Sequence, residues 1–294
     1  MGHEMNIPQQ PSDSLGSHQR MQCMEVWGGN QQADRCLETP GLEAWIYSQP
    51  HQQAQGGGDV YYVSSCASGR ITRILLADVS GHGVDASKLA IGLRELMRRN
   101  INIVQQNRFV AEMNQQFAEL ASNHQFATAV VCSFFSPTRR LTLCNAGHPD
   151  PLCLQRQDGQ WTSISQPSET RELSDFPLGV IDEASYTQTV LKLSDGDLVL
   201  LFSDAFVESV DANGDLLGAD GLLSIIRGLE SDKPDRFIPA LNDAIRAQDP
   251  SNLSDDDATV LLIRATGTRP SVKNNLLAPF RMLRPARDRT ELST

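Results

Sequence analysis

The chain has 294 residues, of which 40% are hydrophobic and 21% are charged, so it can bury the core of one large domain or two small ones. Twenty-five Lys and Arg residues against 36 Asp and Glu give a net charge of −11. This balance argues against a general nucleic-acid-binding protein, whose surface would be basic. It suits a protein that collects divalent cations, although a soluble acidic surface is the commoner reason for such a charge.

No apolar run approaches the roughly 18–20 residues of a membrane span, and the longest candidate, Leu198 to Phe202, has the length of a strand. The N-terminus lacks the charged and then apolar layout of a secretory signal. The six cysteines contain no CxxC pair, and three of them lie in strand-like stretches where a buried thiol acts as a small hydrophobe. We therefore predict a reduced, cytoplasmic protein without a membrane span.

The two ends of the chain differ in composition from its middle. Residues 1–20 are polar and rich in Pro, Ser and Gln, which predicts disorder, and the apolar stretch 21–29 predicts either an extra strand or a docking peptide. From Arg264 onward the chain holds seven basic and two acidic residues, which predicts a solvated basic arm. We divide the chain into an N-terminal extension (1–41), a central domain (42–266) and a flexible tail (267–294).

Within the central domain, strand signals dominate and helical blocks are few. The block 84–99 is helical because its leucines form one apolar stripe at helical spacing, and further helices are predicted around 110–120, 220–229 and 234–247. Strands are predicted at 42–47, 60–65, 73–77, 126–135, 141–145, 151–155, 161–164, 186–193, 197–202 and 258–265. Because the helices are grouped and do not alternate with the strands, the pattern predicts an α+β fold with antiparallel sheets covered by helices.

Two nucleophile motifs fail on their spacing. Cys66 opens a stretch like a cysteine-phosphatase loop, but the arginine required six positions later is one residue late, at Arg73. Ser80 lies two residues from His82 in the sequence DVSGHG, which is not the G-x-S-x-G elbow of a serine hydrolase. Neither Cys66 nor Ser80 is therefore predicted to attack a substrate.

Acidic residues stand at the mouths of four buried strands. They are Asp59 after three glycines, Asp78 and Asp204 at the ends of apolar strands, and Asp255, Asp256 and Asp257 before the last strand. One such Asp is usually a turn or cap residue, but four strand ends in one sheet system can converge. Converging carboxylates need a compensating charge, because like charges at about 4 Å repel by roughly 4 kcal/mol at an effective dielectric of 20. Oxygen ligands without His or Cys select hard ions such as Mg²⁺ or Mn²⁺.

Seven motifs, in this order, resemble the SpoIIE/RsbU-type serine phosphatases, a bacterial branch of the metal-dependent PPM (protein phosphatase 2C-like) family. They are GGD (57–59), DVSGHG (78–83), FATAVV (126–131), NAGHPDPL (145–152), PLG (177–179), DGDLVLLFSDAFVE (195–208) and DDATVLLI (256–263). The resemblance covers residues 42–265. It implies two packed, mostly antiparallel β-sheets flanked by helices on the outside (αββα).

The resemblance also implies a centre of two Mn²⁺ or Mg²⁺ ions, with Asp78, Asp204 and Asp256 as the catalytic carboxylates. Asp78 would bridge the ions and the Val79 carbonyl would bind one of them, while Asp204 and Asp256 would hold the other. Asp59 would contact the metals directly or through their waters. Supporting positions around these ligands are implied for Gly58, Ser80, Gly81, His82 and Asp257.

The activity implied is hydrolysis of phosphoserine or phosphothreonine on a regulatory protein, typically a STAS-type anti-sigma-factor antagonist. The nucleophile would be a water that bridges two metals about 3.5–4 Å apart and attacks phosphorus in line as a hydroxide, so no protein residue serves as nucleophile. Helix 84–99 and its partner would match the pair that switches in this family to complete the metal site. An upstream activator protein and a homodimer formed through that pair are further expectations.

The sequence departs from the family pattern at several positions. Ala205 follows the third Asp where relatives usually have Gly, and Asp85 replaces a residue that is commonly Pro. Ser80 stands where eukaryotic relatives place a general-acid His, so we expect His82 to support the structure and His148 to be a turn residue. Two alternatives stay open: a pseudophosphatase that binds a regulatory partner without turnover, and a hydrolase of a small phosphoester.

Overall fold

The computed structural model describes residues 18–66, 69–81, 83–121, 125–165, 174–269 and 287–289. Two seven-stranded sheets are formed there. In spatial order, sheet A contains β1 (His18–Arg20), β3 (Ala33–Thr39), β4 (Leu42–Gln49), β13 (Ala258–Ala265), β12 (Leu198–Phe202), β9 (Leu152–Gln155) and β10 (Gln160–Ser163). Sheet B contains β11 (Thr189–Lys192), β8 (Arg140–Ala146), β7 (Ala127–Phe135), β6 (Ile71–Val79), β5 (Asp59–Cys66), β2 (Glu25–Gly29) and β14 (Arg287–Asp288).

The helices of the described residues cover the outer faces of the two sheets. They are α1 (Val84–Arg99), α2 (Gln106–Leu120), α3 (Ala205–Glu208), α4 (Gly218–Arg227) and α5 (Pro234–Arg246). One hydrophobic layer lies between α1, α2 and sheet B, a second between the two sheets, and a third between sheet A and α4 and α5. Strand pairing is antiparallel except at the edges, where β1 joins β3 and β14 joins β2 in parallel. The predicted αββα fold is confirmed.

Local sequence explains the central elements. Strands β6, β12 and β13 are apolar on both faces because each sheet is covered by its partner sheet and by helices. Helix α1 begins after Gly83, whose φ of 79° favours glycine, and its apolar stripe buries Leu89, Leu93 and Met97 against sheet B. The sequence predicts this helix with the bounds that the structure has, 84–99.

The residues before position 42 contribute strands to both sheets. Strand β2 pairs antiparallel with β5, so the stretch 21–29 supplies an extra strand, and β3 pairs antiparallel with β4 along its whole length. Sequence periodicity misses β3 because Asp34, Arg35 and Glu38 interrupt its apolar residues. Sheet pairing therefore extends into the segment that sequence analysis treats as an N-terminal extension. The expected disorder at 1–20 is wrong for residues 18–20, which form β1 and pair with β3; residues 1–17 lie outside the described residues.

Part of the basic tail pairs with sheet B. The amide of Arg287 donates to the Met24 carbonyl at 2.7 Å, and the amide of Arg289 donates to the Val26 carbonyl at 3.0 Å. The sequence predicts a flexible arm for the tail, but these residues form an ordered contact with sheet B. The ion pair between Asp288 and Arg94 stabilises this contact. None of the helices in the described ranges is both long and apolar enough to cross a membrane.

Asp288 neutralises a buried arginine of α1. The Arg94 side chain is 0% exposed, and its Nη2 lies 2.6 Å from Asp288 Oδ1 while its Nη1 lies 3.0 Å from Glu95 Oε1. An Asp288→Ala variant is expected to lower the free energy of unfolding by about 2 kcal/mol, because the buried Arg94 guanidinium loses one of the two carboxylates that the described residues place beside it. Denaturant titration measures this loss. A Glu230→Ala control, which removes the exposed pair with Lys233, should cost less than about 1 kcal/mol, and equal losses would contradict the assignment.

Candidate active site

Four acidic residues meet where one end of sheet A packs against one end of sheet B. Asp59 begins β5 and lies directly opposite Asp78, near the end of β6, in an antiparallel pair. Asp204 follows β12, and Asp256 precedes β13, which is the antiparallel neighbour of β12. The strand ends that carry these carboxylates therefore face one another across the two sheets, and no continuous stretch of chain contains all four.

Asp59 is the most deeply buried of these carboxylates. It is 3% exposed, and both of its carboxylate oxygens lack a hydrogen-bond partner among the described residues. Burial raises its pKa well above the usual range, and the charges of Asp78 and Asp257 raise it further. The hydroxyls of Thr259 and Ser203 lower the pKa to a smaller extent, but neither makes a hydrogen bond of standard geometry. A buried carboxyl group in this state either stays protonated or needs a compensating positive charge.

The pKa values of Asp78 and Asp204 are both raised by burial and by neighbouring negative charges. Burial raises the pKa of Asp78 to about 7, with further contributions from the charges of Asp204 and Asp256. Burial raises the pKa of Asp204 to about 6, followed by the charges of Glu208 and Asp256. Asp204 precedes α3, yet its side chain makes no capping hydrogen bond to that helix. The side chains thus lie near one another, and no Lys or Arg among the described residues contributes to these pKa shifts. A divalent cation neutralises such an arrangement.

Asp257 uses its carboxylate to bind backbone amides. Its Oδ1 accepts a hydrogen bond from the His51 amide at 2.6 Å, and its Oδ2 accepts one from the Gly58 amide at 2.5 Å. A Cβ added to Gly57 would lie 2.3 Å from both oxygens of Asp257, so only glycine fits there. Asp257 therefore anchors the glycine-rich loop that leads into Asp59 and explains the glycine at position 57.

The Val79 carbonyl opens toward the same space. A Cβ added to Gly58 would lie 2.8 Å from the Val79 oxygen and 3.5 Å from Asp78 Oδ1, so Gly58 leaves room on the side where both oxygens lie. The Ser80 hydroxyl accepts a hydrogen bond from the Phe126 amide at 2.9 Å and thereby ties the end of β6 to the start of β7. Gly81 lines the cleft with a φ of 96°. His82 lies outside the described residues.

The cleft has a volume of about 750 Å³. It is lined by His51, Gln52, Ala54, Gly56, Gly57, Gly81, Gly83, Asp255, Asp256 and Asp257. Asp256 therefore lines the cleft, whereas Asp59, Asp78 and Asp204 are not among its lining residues. In the described part of the chain, no group of three or more His, Cys, Asp or Glu side chains is arranged so that it could hold a metal ion. The potential ligands are nevertheless all oxygen atoms, and they include the unpartnered oxygens of Asp59 and the Val79 carbonyl. Such ligands suit a hard divalent cation, with water molecules filling the remaining coordination positions.

Sequence reasoning did not single out Glu208, although its charge acts on both Asp78 and Asp204. It lies four residues after Asp204, one helical turn away, and this spacing within DAFVE is the signal that could have indicated it. His148 is a turn residue, as expected: its amide donates to Asn145 Oδ1 at 2.8 Å. Burial lowers the pKa of His148 to about 4, so this imidazole is neutral near pH 7 and cannot serve as a cationic acid.

The two helix-covered sheets and the acidic cleft between their ends define the PP2C-like phosphatase fold of the PPM type. The family model described as Stage II sporulation protein E (SpoIIE) matches residues 68–266, well over half of the chain. The chain therefore belongs to the SpoIIE family.

Individual relatives are distant. The chain is 21% identical over 140 residues to the phosphoserine phosphatase RsbP of Bacillus subtilis (strain 168), a match that covers 46% of this chain and about a third (33%) of that relative's length. The solved RsbU and RsbW domains of Rv1364c from Mycobacterium tuberculosis share 22% identity and a TM-score of 0.63, covering 79% of this chain and 62% of that one. The catalytic domain of the serine threonine protein phosphatase PstP, solved in complex with 2 manganese ions, shares 19% identity and a TM-score of 0.53 over 78% of this chain and 100% of that one.

Proposed function

We propose that the protein is a metal-dependent protein serine/threonine phosphatase. The observation that carries this proposal is the cluster of buried, mutually repelling carboxylates at the ends of both sheets, with Asp59 left without a hydrogen-bond partner. A folded protein retains such strain where a bound cation offsets it during function. Membership of the SpoIIE family and the manganese bound by the structural neighbour PstP support the same reading.

Two Mn²⁺ or Mg²⁺ ions would be held by Asp78, Asp204, Asp256 and the Val79 carbonyl, with Asp59 at the buried side. Such ions, when bound, activate water near neutral pH and offset charge on a phosphoryl group. The chain's own residues hold the carboxylates in place: Asp257 fixes the loop before Asp59, and Gly57 and Gly58 let the backbone approach. Because burial lowers the pKa of His148 to about 4, this imidazole is neutral near pH 7 and is not the proposed general acid for the leaving group.

The substrate class we propose is a phosphoserine or phosphothreonine protein of the STAS type. Support comes from the relative RsbP, which is a phosphoserine phosphatase, and from the open form of the acidic cleft, which admits a residue on a protein surface. An upstream activator protein, a homodimer through α1 and α2 and a cytoplasmic location complete the proposal. Each of these rests on the family.

Hydrolysis of a chromogenic aryl phosphate with Mn²⁺ tests the activity. The wild type is expected to turn over, chelation with EDTA to stop it, and Asp204→Asn and Asp256→Asn each to lower kcat by about 10²–10³-fold. An Asp249→Asn control changes an exposed carboxylate that bonds only to Ser251 among the described residues and should keep full activity. Equal rates in the wild type and both cleft variants would overturn the proposal.

A second measurement separates the remaining alternatives. A phosphorylated STAS protein and a set of phosphorylated metabolites are offered to the enzyme under the same conditions. Faster turnover of the protein, judged by kcat/KM, supports the protein phosphatase. Preference for a metabolite indicates a small phosphoester hydrolase, and tight binding of the phosphoprotein without turnover indicates a pseudophosphatase.

A further inference from the structure

A second cavity, of about 400 Å³, lies toward the opposite end of β6 from Asp78. Its floor is a row of side chains across four neighbouring strands of sheet B. Arg73 of β6 is paired with Ser133 of β7, Ser133 with Thr142 of β8, and Thr142 with Val190 of β11. This row lies on the same face of sheet B as the residues that pack against α1 and α2. The cavity is at the end of that face, beyond the part that the two helices cover.

Arg73 is a buried cation whose donors are largely unused. It is 1% exposed, and among the described residues its Nε and Nη1 have no hydrogen-bond partner of standard geometry, although the Cys66 thiol lies close enough to raise its pKa as a hydrogen-bonding neighbour. Its Nη2 donates to the Ile103 carbonyl. The Phe109 ring covers one face of the guanidinium, with its centroid 4.3 Å from Cζ. Within the described part of the chain no carboxylate lies at ion-pair distance from Arg73, in contrast to Arg94, which has two.

The described residues around Arg73 do not supply a negative charge. Burial lowers the pKa of Arg73, and the groups that oppose this effect are the Cys66 thiol and the Tyr62 hydroxyl. Burial raises the pKa of Cys66 to about 11 and that of Tyr62 to about 12, so both are neutral near pH 7. A buried charge without a partner is costly, and two free donors of a planar guanidinium match the two oxygens of a carboxylate or phosphate.

The rest of the cavity adds a second cation and apolar walls. Arg140 lines it from β8, and among the described residues that line it there is no Asp or Glu, although the chain as a whole carries a net charge of −11. Val104, Phe135 and Val190 line it as well, and these hydrophobic side chains are 78%, 40% and 40% exposed. The volume falls within the range of small-molecule sites, roughly 300–1,000 Å³.

We propose that this cavity binds a small organic anion, a carboxylate or a phosphate carried on an apolar group, with Arg73 as the buried cation and Arg140 at the mouth. The anion would accept hydrogen bonds from the guanidinium of Arg73, and its apolar part would cover Phe135 and Val190. The site is separate from the acidic cleft and does not depend on the phosphatase activity. Its walls include Gln105 and Gln106, where α2 begins, so the bound anion would contact the junction between α1 and α2.

Isothermal titration calorimetry of the full chain tests the site. Benzoate and phenylphosphonate serve as probes for the two anion types, and benzamide is their neutral counterpart; EDTA keeps metal ions out of the acidic cleft. We expect saturable binding of at least one anion and none of benzamide, and the better anion identifies the ligand type. Arg73→Met should weaken that binding more than tenfold and Arg140→Met two- to fivefold.

Matched variants separate a binding role from a structural one. Arg94→Met removes another buried arginine, and Asp204→Asn alters the acidic cleft; both should bind the anion like the wild type. Arg73→Lys keeps the charge but loses the planar pair of donors, so it should remain folded by circular dichroism and still bind more weakly than the wild type, even if Arg73→Met does not fold. Absence of anion binding by the wild type, equal binding of benzamide, or full affinity in the folded Arg73 variants would overturn the proposal.

Discussion

An Asp78→Asn variant is expected to lose phosphatase activity by about 10³-fold while its metal-free form becomes harder to unfold. The activity falls because the proposed bridging ligand is lost. The stability rises because a neutral amide removes one charge from a cluster whose members repel one another. One pKa unit corresponds to 1.36 kcal/mol, and because Asp78 shares its strain with its neighbours, the expected gain is about 2 kcal/mol.

The pH dependence of this gain has a definite sign. The pKa of Asp78 is raised from 3.8 to about 7 in the folded protein, so between these values the folded state binds more protons than the unfolded state. The free energy of unfolding of the metal-free wild type therefore falls as the pH rises through that window. The advantage of Asp78→Asn should be largest at about pH 8 and shrink toward about pH 5.

Denaturant titration in EDTA at several pH values measures the stability, and aryl phosphate hydrolysis measures the activity. Adding Mn²⁺ supplies a second reading: a metal at 100 times its Kd stabilises a folded protein by about 2.7 kcal/mol, and we expect this for the wild type and much less for the variant. A metal-free variant that is less stable than the wild type at every pH would show that Asp78 stabilises the fold and is not strained.

A Gly57→Ala variant is expected to lower kcat by about 10²-fold and the free energy of unfolding by about 2 kcal/mol. The new Cβ would lie 2.3 Å from both oxygens of Asp257. These oxygens accept hydrogen bonds from the amides of His51 and Gly58, so moving them would break those bonds. Overpacking of this kind costs about 1–3 kcal/mol. The displaced loop carries Asp59, and a shift of about 1 Å in a reacting arrangement can cost about 10²-fold in rate.

Gly92→Ala is the matched control for this prediction. Gly92 lies in the middle of α1, and an added Cβ there would meet only Leu120 Cδ1, at an ordinary contact distance of 3.4 Å. This variant should keep its activity and gain up to about 1 kcal/mol, because alanine favours the helix. Steady-state kinetics and thermal unfolding compare the two variants. If Gly57→Ala behaved like Gly92→Ala, Asp257 would not be the anchor of the loop.

Several elements follow from local sequence alone. The stripe of leucines predicts α1 with its observed bounds, and continuous apolar runs predict β6, β12 and β13, because a helix or a doubly covered strand leaves its period in the chain. The acidic residues at the strand ends also stand out in the sequence. A strand end is a local feature, and an Asp placed there needs no knowledge of the fold to be noticed.

The sequence by itself thus determined the fold class, the order of the central strands and helices, and the residue types at the cleft. Only the tertiary structure decided which residues meet. It placed β1 and β14 at sheet edges and β3 beside β1, and it assigned Asp257 to the backbone amides of a loop about 200 residues earlier in the chain. It also left Arg73 beside a cavity, without a counter-charge among the residues that the structure describes. The physical reason is that hydrogen-bond partners, burial and electrostatic coupling depend on distances between remote segments, and these distances are set by how the sheets and helices pack, which leaves no period in the local sequence.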